Sequence, residues 1–444
     1  MTIVETVKHD TASQLFAKGR PVYGGMVLKG RKPILLILIL GIPAILCLTL
    51  LPGAFDRLNG FHANLDNSFA AVQAPSVVRE KPAKTTPLFD VGSWYSSRNE
   101  QPDTHGVLIE SEDGSRIYAS HNPDVTFNPA SLIKLSTSLA ALRTLGADYR
   151  FQTQVFVDGK VDKSGTLQGS IFVSGSDPTF GDAAAAMIAS ELRNRGIKRV
   201  AKTVSVTSNF CFNFSDKPEE SAGRLASVLK VGSPKPEVSD QPTGEKILTV
   251  SSNPLRDVLL YMNAHSSNFI AERVGQLIGG PEGLQQFLVD KLKLPPDQVT
   301  IARTSGREHN RMTPRGLLAV LRGILDETQK QGLQASDILA VASDDSGTLR
   351  KRMAGTGLEG AVVAKTGTLT HEVDGGMASL AGIVYTKDAG PVVFALLDQG
   401  NRIAENRQME DQLLADIVRR SATPALIASP TPRRLLPPSN LSVQ

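Results

Sequence analysis

Three short groups of residues in this chain have the types and spacing to do chemistry together. Ser131 and Lys134 stand three apart in Phe127-Asn-Pro-Ala-Ser-Leu-Ile-Lys-Leu, Ser266 and Asn268 flank Ser267, and Lys365-Thr366-Gly367-Thr368 closes a run of small apolar residues. A serine hydroxyl is a weak nucleophile until a neighbouring base takes its proton. Residues three apart on a helix share a face. An ammonium on an otherwise apolar helix is partly desolvated, so its pKa falls and it can act as that base. A hydroxyl in the first helical turn also lies beside unpaired backbone N–H groups at the positive end of the dipole. The pair reads as a serine nucleophile with a built-in lysine base.

Each group is weak alone. A Ser-x-x-Lys spacing arises by chance about once or twice in a chain of this size and ordinary composition. Ser227-Val-Leu-Lys230 is a second instance, followed by Val-Gly-Ser-Pro-Lys-Pro, which cannot continue a helix. Ser-x-Asn recurs at Ser97-Arg98-Asn99 and Ser251-Ser252-Asn253, and by itself reads as a capped helix start. Lys365-Thr-Gly occurs once. It is not part of a phosphate loop, because Ala364 and Glu359 stand where that loop needs its glycines.

The elements that must position these groups follow from the apolar pattern. Asn128-Pro129 is a turn, and Leu132, Ile133, Leu135, Leu139 and Leu142 have helical spacing. Before them, His105 to Ser111 and Ser115 to Ser120 flank Glu112-Asp113-Gly114 as a β-hairpin. Strands are expected at Phe151–Val157, Gly169–Gly175 and Val200–Ser208, with a helix over 183–196 between the last two. Helices follow over Leu255–Ile278, Pro281–Leu294 and Arg315–Ile324. Gly360–Lys365, Ala378–Thr386 and Val392–Leu397 read as strands, and Asn406–Arg420 as a final helix. Residues 213–245 are polar and Pro/Ser/Lys-rich, with no convincing pattern. The order implies an α+β sheet built from both ends of a folded unit spanning 89–420, with an inserted subdomain at about 150–250.

Residues 33–52 are uncharged, long enough to cross a hydrocarbon core of roughly 30 Å. Lys29, Arg31 and Lys32 precede them, so a cytoplasmic leader (1–32) and a transmembrane signal anchor (33–53) are expected, with everything after it exported. A cleaved signal peptide is disfavoured by the long polar leader, the long apolar run and the lack of a clean Ala-x-Ala site. Residues 54–88 read as a tether and 421–444 as a disordered proline-rich tail. Of the 444 residues 41% are hydrophobic and 21% charged, the composition of a globular protein, and the net charge is only +4. No basic run interleaves with aromatics, so nucleic acid is not an expected partner. The two cysteines, Cys47 and Cys211, are divided between the anchor and the exported part, so no disulfide is expected there. Seven scattered histidines without a ligand spacing give no metal site and no cofactor.

In order and in context, Ser131-x-x-Lys134, Ser266-x-Asn268 and Lys365-Thr-Gly367 form the set that marks the penicillin-recognising serine hydrolases. The chain most resembles the D-alanyl-D-alanine carboxypeptidase/endopeptidase family, the low-molecular-mass class C penicillin-binding proteins. The likeness extends to Asn128-Pro-Ala-Ser131, Gly175-Ser-Asp177-Pro178-Thr, His265-Ser-Ser-Asn268, Ser305-Gly306 with Asn310 to Pro314, and Gly347-Thr-Leu-Arg350. The resemblance implies a β-lactamase/DD-peptidase-like transpeptidase fold, an antiparallel sheet plus a helical region, preceded here by one transmembrane helix.

It also implies that Ser131 attacks the penultimate D-Ala of a cell-wall stem peptide while Lys134 takes its proton. Backbone N–H groups of Ser131 and Thr368 would form the oxyanion hole. Ser266 would relay a proton to the leaving amine, and Asn268 would orient the substrate amide and Lys134. Lys365, Thr366 and Thr368 would hold the terminal carboxylate, with Gly367 allowing close approach. Implied partners are peptidoglycan stem peptides, β-lactam inhibitors and the bacterial cytoplasmic membrane, with the catalytic domain on the extracytoplasmic (periplasmic) side.

The chain departs from the family pattern in four places. The spacer from Ser131 to Ser266 is short, which implies a reduced insertion. The Gly-Trp-Pro-Trp-like segment is absent, Trp94 being the only tryptophan. Ser305-Gly-Arg-Glu-His-Asn310 is one residue shorter than the usual segment, and Ser267 stands where Asp is commoner. A β-lactamase, a related esterase or amidase, and a non-catalytic wall-binding scaffold are the competing readings, since fold and motifs do not fix the substrate.

Overall fold

A computed structural model describes residues 86–343, 346–427 and 440–443. Contacts divide the chain into Met1–Arg79 and Glu80–Gln444, and every described residue lies in the second unit. The leader, the expected anchor and all but the end of the tether lie outside the described residues.

The site rests on a six-stranded antiparallel sheet. Its order is Ala340–Val341, Val362–Leu369, Met377–Tyr385, Pro391–Gln399, His105–Ser111 and Ile117–His121, so strands from the two ends of the fold meet at Pro391–Gln399 and His105–Ser111. Both faces are covered, which is why the central strands read as continuous apolar runs. On one face Leu108, Val363, Ile383, Val393 and Leu397 pack against Leu135 and Leu139 of the helix Ile133–Leu145, Leu259 of Leu255–Ala264 and Leu321 of Pro314–Lys330. On the other, Val107, Ile109, Leu380, Phe394 and Leu396 pack against Leu413, Leu414 and Ile417 of the helix Ile403–Ser421 and Trp94 of Val91–Ser96. Each large side chain buried this way contributes about 1.5–3 kcal/mol. Ile133 through Leu142 are all buried, so this helix runs through the interior with its lysine enclosed.

Residues 152–251 form a second sheet with its own core. Asn440–Val443, Glu245–Ser251, Gln152–Asp158 and Ser170–Gly175 pair antiparallel, and Thr203–Val206 and Lys235–Val238 continue the sheet in parallel. Parallel neighbours need crossovers. These are supplied by the helices Asp182–Asn194 and Pro218–Leu229, whose Ile188, Leu192, Leu225 and Leu229 cover Ile171, Val173, Val204 and Leu248. The second helix lies in the stretch that reads as patternless. It starts on Pro218, and three of its five buried residues are Ser221, Ala222 and Ala226, too small to stand out as periodicity.

Two further expectations change. The helix read over Leu255–Ile278 is two helices, Leu255–Ala264 and Asn268–Leu277. Ser267 caps the second by accepting from Ile270 N at 3.3 Å, and that local bond outweighs the unbroken apolar spacing. Ser266 stands in the break with φ +53°. The end of the fold also differs from a disordered tail. Ala425 N donates to Tyr385 O and Ile427 N to Gly360 O, and Asn440–Val443 adds to the edge of the second sheet. Here backbone donors after the last helix find carbonyls at the end of one strand (Tyr385) and in the turn before another (Gly360).

Candidate active site

Ser131 lies in a 3-10 turn, Ala130–Leu132, that opens directly into Ile133–Leu145. Ala130 before it has φ +53°, a conformation a residue with a Cβ rarely adopts and one found where strain is stored at functional sites. Several contacts fix it. Asn128 Oδ1 accepts from Ala130 N at 3.1 Å, and Ser379 Oγ donates to Pro129 O at 3.1 Å. Phe127 and Met312 exchange backbone bonds of 3.1 and 3.0 Å, which draws the segment 305–312 alongside.

Lys134 is fully buried one turn above Ser131. Its Nζ donates to Ser131 Oγ at 3.0 Å, to Asn268 Oδ1 at 2.7 Å and to Ser305 O at 2.5 Å. Burial pulls its pKa down from 10.5 to about 7; Glu272 opposes that shift and Arg307 adds to it. An amine with that pKa is substantially neutral near pH 7 and can accept the Ser131 proton.

Lys365 is the second enclosed lysine. Its Nζ donates to Ser266 Oγ at 3.0 Å and to Thr366 O at 2.6 Å. Burial, and after it the charge of Lys134, holds its pKa well below 10.5. The strand that carries it pairs with Met377–Leu380 beyond position 365, while Ala340–Val341 covers only Ala364 and Val363 on the other side. Among the described residues no strand therefore pairs with the outer edge of residues 365–369. A Cβ on Gly367 would stand 2.1 Å from Ser379 Oγ, 2.8 Å from Pro129 O and 3.0 Å from Ala130 Cβ, so strand and turn approach as closely as backbones can.

The structure thus brings Ser131, Lys134 and Asn268 into one hydrogen-bonded group and Ser266 and Lys365 into another. The groups are joined by the two-residue step from Ser266 to Asn268 and by Gly367 against Pro129. Thr366 is buried beside them and Thr368 is exposed at the open edge. The competing Ser227 and Lys230 are exposed on the inserted subdomain.

Four groups at the site were not among the sequence candidates. Ser305 O receives Lys134. Glu272 Oε1 accepts from Ser305 N at 3.1 Å and its Oε2 from Thr304 Oγ1 at 2.9 Å, which holds that carbonyl in place. Asp374, in the loop after the Lys365 strand, accepts from Arg311 at 2.8 and 3.1 Å, from Asn128 Nδ2 at 2.7 Å and lies 3.3 Å from His309 Nδ1. Arg407 donates to Thr368 Oγ1 at 2.6 Å. Ser305 carries a sequence signal through the Ser305-Gly306 likeness, and Glu272 through its place one turn after Asn268 on the same helix; Asp374 and Arg407 carry none.

Residues 96–216 and 231–419 match the family described as D-Ala-D-Ala carboxypeptidase 3 (S13). The carboxypeptidase DacB of Mycolicibacterium smegmatis is 28% identical over 356 residues, which cover 66% of this chain and 75% of that protein. In fold, the chain is similar to a penicillin G-acylated predatory endopeptidase of Bdellovibrio bacteriovorus (TM-score 0.66, 22% identity, 76% of this chain and 99% of that one). It is similar also to penicillin binding protein 4 of Haemophilus influenzae (TM-score 0.57, 20% identity, 70% and 96%).

Proposed function

The chain belongs to the D-Ala-D-Ala carboxypeptidase 3 (S13) family and is a serine-type carboxypeptidase, and on that premise we propose that Ser131 is its nucleophile and peptidoglycan stem peptides its substrates. One observation carries the assignment: a buried amine, brought to a pKa of about 7, lies 3.0 Å from the Ser131 hydroxyl.

In the reaction Ser131 Oγ attacks the carbonyl of the penultimate D-Ala and its proton passes to Lys134 Nζ. Charge develops on the carbonyl oxygen, which faces the backbone N–H groups of Ser131 and Thr368; a preorganised donor of this kind is worth roughly 3–4 kcal/mol. As the C–N bond breaks, the departing D-Ala amine takes a proton from Ser266, which regains one from Lys134. The proton first taken from Ser131 thus leaves with the amine, and Lys134 is neutral again. Lys365 donates to the Ser266 hydroxyl at 3.0 Å. Asn268 holds Lys134 and the substrate amide. Lys365, Thr366 and Thr368 receive the terminal carboxylate. Water, deprotonated by neutral Lys134, then attacks the ester; the acyl group leaves as the acid and Ser131 Oγ regains its proton from Lys134.

Penicillins offer a strained carbonyl near a carboxylate, so they should acylate Ser131 and persist there. Labelling with a fluorescent penicillin tests this: wild type takes the label and Ser131→Ala does not. An unlabelled wild type, under conditions that label another DD-peptidase, would overturn the assignment. Mass spectrometry of digested pentapeptide and of cross-linked stem peptides then separates carboxypeptidase from endopeptidase cleavage.

The charge pattern around residues 33–52 supports a single-pass anchor in the bacterial cytoplasmic membrane, with the catalytic region in the periplasm. Among the described residues no helix is long and apolar enough to cross a membrane. Retention of the full chain in carbonate-washed membranes, with residues after 53 open to protease from outside, is the expected result. Recovery in the soluble fraction would refute the anchor.

A further inference from the structure

The carboxylate-binding role assigned above to Lys365 meets an electrostatic difficulty. Both lysines of the site are enclosed, and the charge of Lys134 disfavours the charged form of Lys365. Lys365 Nζ is also already committed to Ser266 Oγ and Thr366 O. A substrate carboxylate entering along the open strand edge therefore meets a cation that is buried, shared and reluctant to be protonated. A permanent charge on the solvent side would remove the difficulty.

Arg407 supplies one. It stands in the second turn of Ile403–Ser421, whose start lies at the end of the sheet where the Lys365 strand opens. Its Nη2 donates to Thr368 Oγ1 at 2.6 Å, while the same hydroxyl donates to Gly367 O at 2.8 Å. The carboxylates one turn further along this helix are engaged elsewhere: Arg352 Nη2 binds Glu410 at 2.8 Å and Asp411 at 2.6 Å. Among the described residues Arg407 has no ion pair. It is an exposed guanidinium with N–H groups to spare beyond the one given to Thr368.

We propose that Arg407 is a specificity-determining residue that receives the substrate's terminal carboxylate together with Thr368. In the empty site the guanidinium holds the Thr368 hydroxyl in place. When substrate enters, a carboxylate oxygen bridges the two, and the ion pair forms outside the lysine cluster. The proposal rests on the reading of the substrate given above.

The test uses the full chain in detergent and an N-acetylated peptide ending in D-Ala-D-Ala, as the free acid and as the C-terminal carboxamide. Binding is measured by calorimetry in a Ser131→Ala background, so turnover does not enter. A charge-assisted hydrogen bond of this kind is worth on the order of 10- to 100-fold in affinity. Arg407→Gln should therefore weaken binding of the acid by that factor and leave the amide unchanged, and Arg407→Lys should recover part of the loss. Equal losses for acid and amide, or no loss for either, would overturn the proposal, as would Ser131→Ala binding both peptides equally. Hydrolysis of the acid by the otherwise wild-type chain is followed in parallel. Arg407-dependent binding without any cleavage would leave Arg407 in its role and refute the hydrolase reading instead.

Discussion

Lys134 and Lys365 are two enclosed lysines that each hold a different serine, Ser131 and Ser266, at the same distance of 3.0 Å. Burial lowers the proton affinity of both, and the charge of Lys134 lowers that of Lys365 further. Lys134 is thereby an amine able to accept the Ser131 proton. That is the feature that makes amide cleavage feasible without a histidine.

The first expectation concerns pH. Lys134 must be neutral to act, and its pKa lies at about 7, so the second-order rate of acylation by penicillin should rise with pH through that value and level off above it. Lys134→Arg keeps the charge but cannot release its proton, and should lose about 10²–10⁴ in rate at every pH. A wild-type profile flat between pH 5 and 9 would contradict the role given to Lys134.

Glu272 tests the electrostatics of the same amine. Its charge favours the ammonium form of Lys134. Glu272→Gln removes that stabilisation, so the Lys134 pKa should fall below its present value and the acid limb of the acylation profile should move to lower pH. A limb that stays in place, or moves up, would show that Lys134 does not sense this carboxylate.

Asp374 clasps three segments at the rim: Asn128 before the nucleophile, Arg311 after the Ser305 segment, and its own loop. Hydrogen bonding from Arg311 and then Asn128 holds its carboxyl down to about 2, against the cost of partial burial. Because the folded value lies below the unfolded one, this stabilisation is complete above about pH 4 and is lost as pH falls through the folded value. Asp374→Ala should destabilise by about 1.5–3 kcal/mol, read as urea midpoint at pH 7, and the difference from wild type should vanish in strong acid.

Gly367→Ala is the steric test. Its new methyl would meet Ser379 Oγ, Pro129 O and Ala130 Cβ, two of them backbone-fixed. The strand and the Ser131 turn must then move apart, so acylation should fall at least tenfold while far-ultraviolet circular dichroism stays native. Unchanged acylation would mean that the spacing of strand and turn is not critical.

What could be read from the chain divides by the range of the interactions. Lys134 beside Ser131 depends on one helical turn, and Lys365 follows a short apolar run, so both could be named from local pattern, although the strand runs on from Lys365 to Leu369. The hairpin and the three C-terminal strands were legible for the same reason. The break that exposes Ser266 was not, because one capping bond from Ser267 decides it against an unbroken apolar pattern. Asp374 meets Asn128 across 246 residues and Arg407 meets Thr368 across 39, through elements with no shared periodicity. Such contacts are set by how the sheet closes, and no local pattern announces them. The helix Pro218–Leu229 was missed through composition, its inner face being made largely of serine and alanine.

The meeting of both ends of the fold in one sheet also sets a timetable for biosynthesis. At about 5–20 residues per second, the Lys365 strand leaves the ribosome roughly 10–50 s after Ser131. Until Ser379 and Pro391–Gln399 arrive, His105–Ser111 has no partner on its inner side, and the turn that carries Ala130 lacks its bond from Ser379 to Pro129. The unfinished chain carries its nucleophile but cannot use it, so neither wall peptide nor penicillin can capture the serine before synthesis is nearly complete. The same delay leaves a long apolar strand edge waiting, which makes this interval the one in which the nascent protein most needs protection from aggregation.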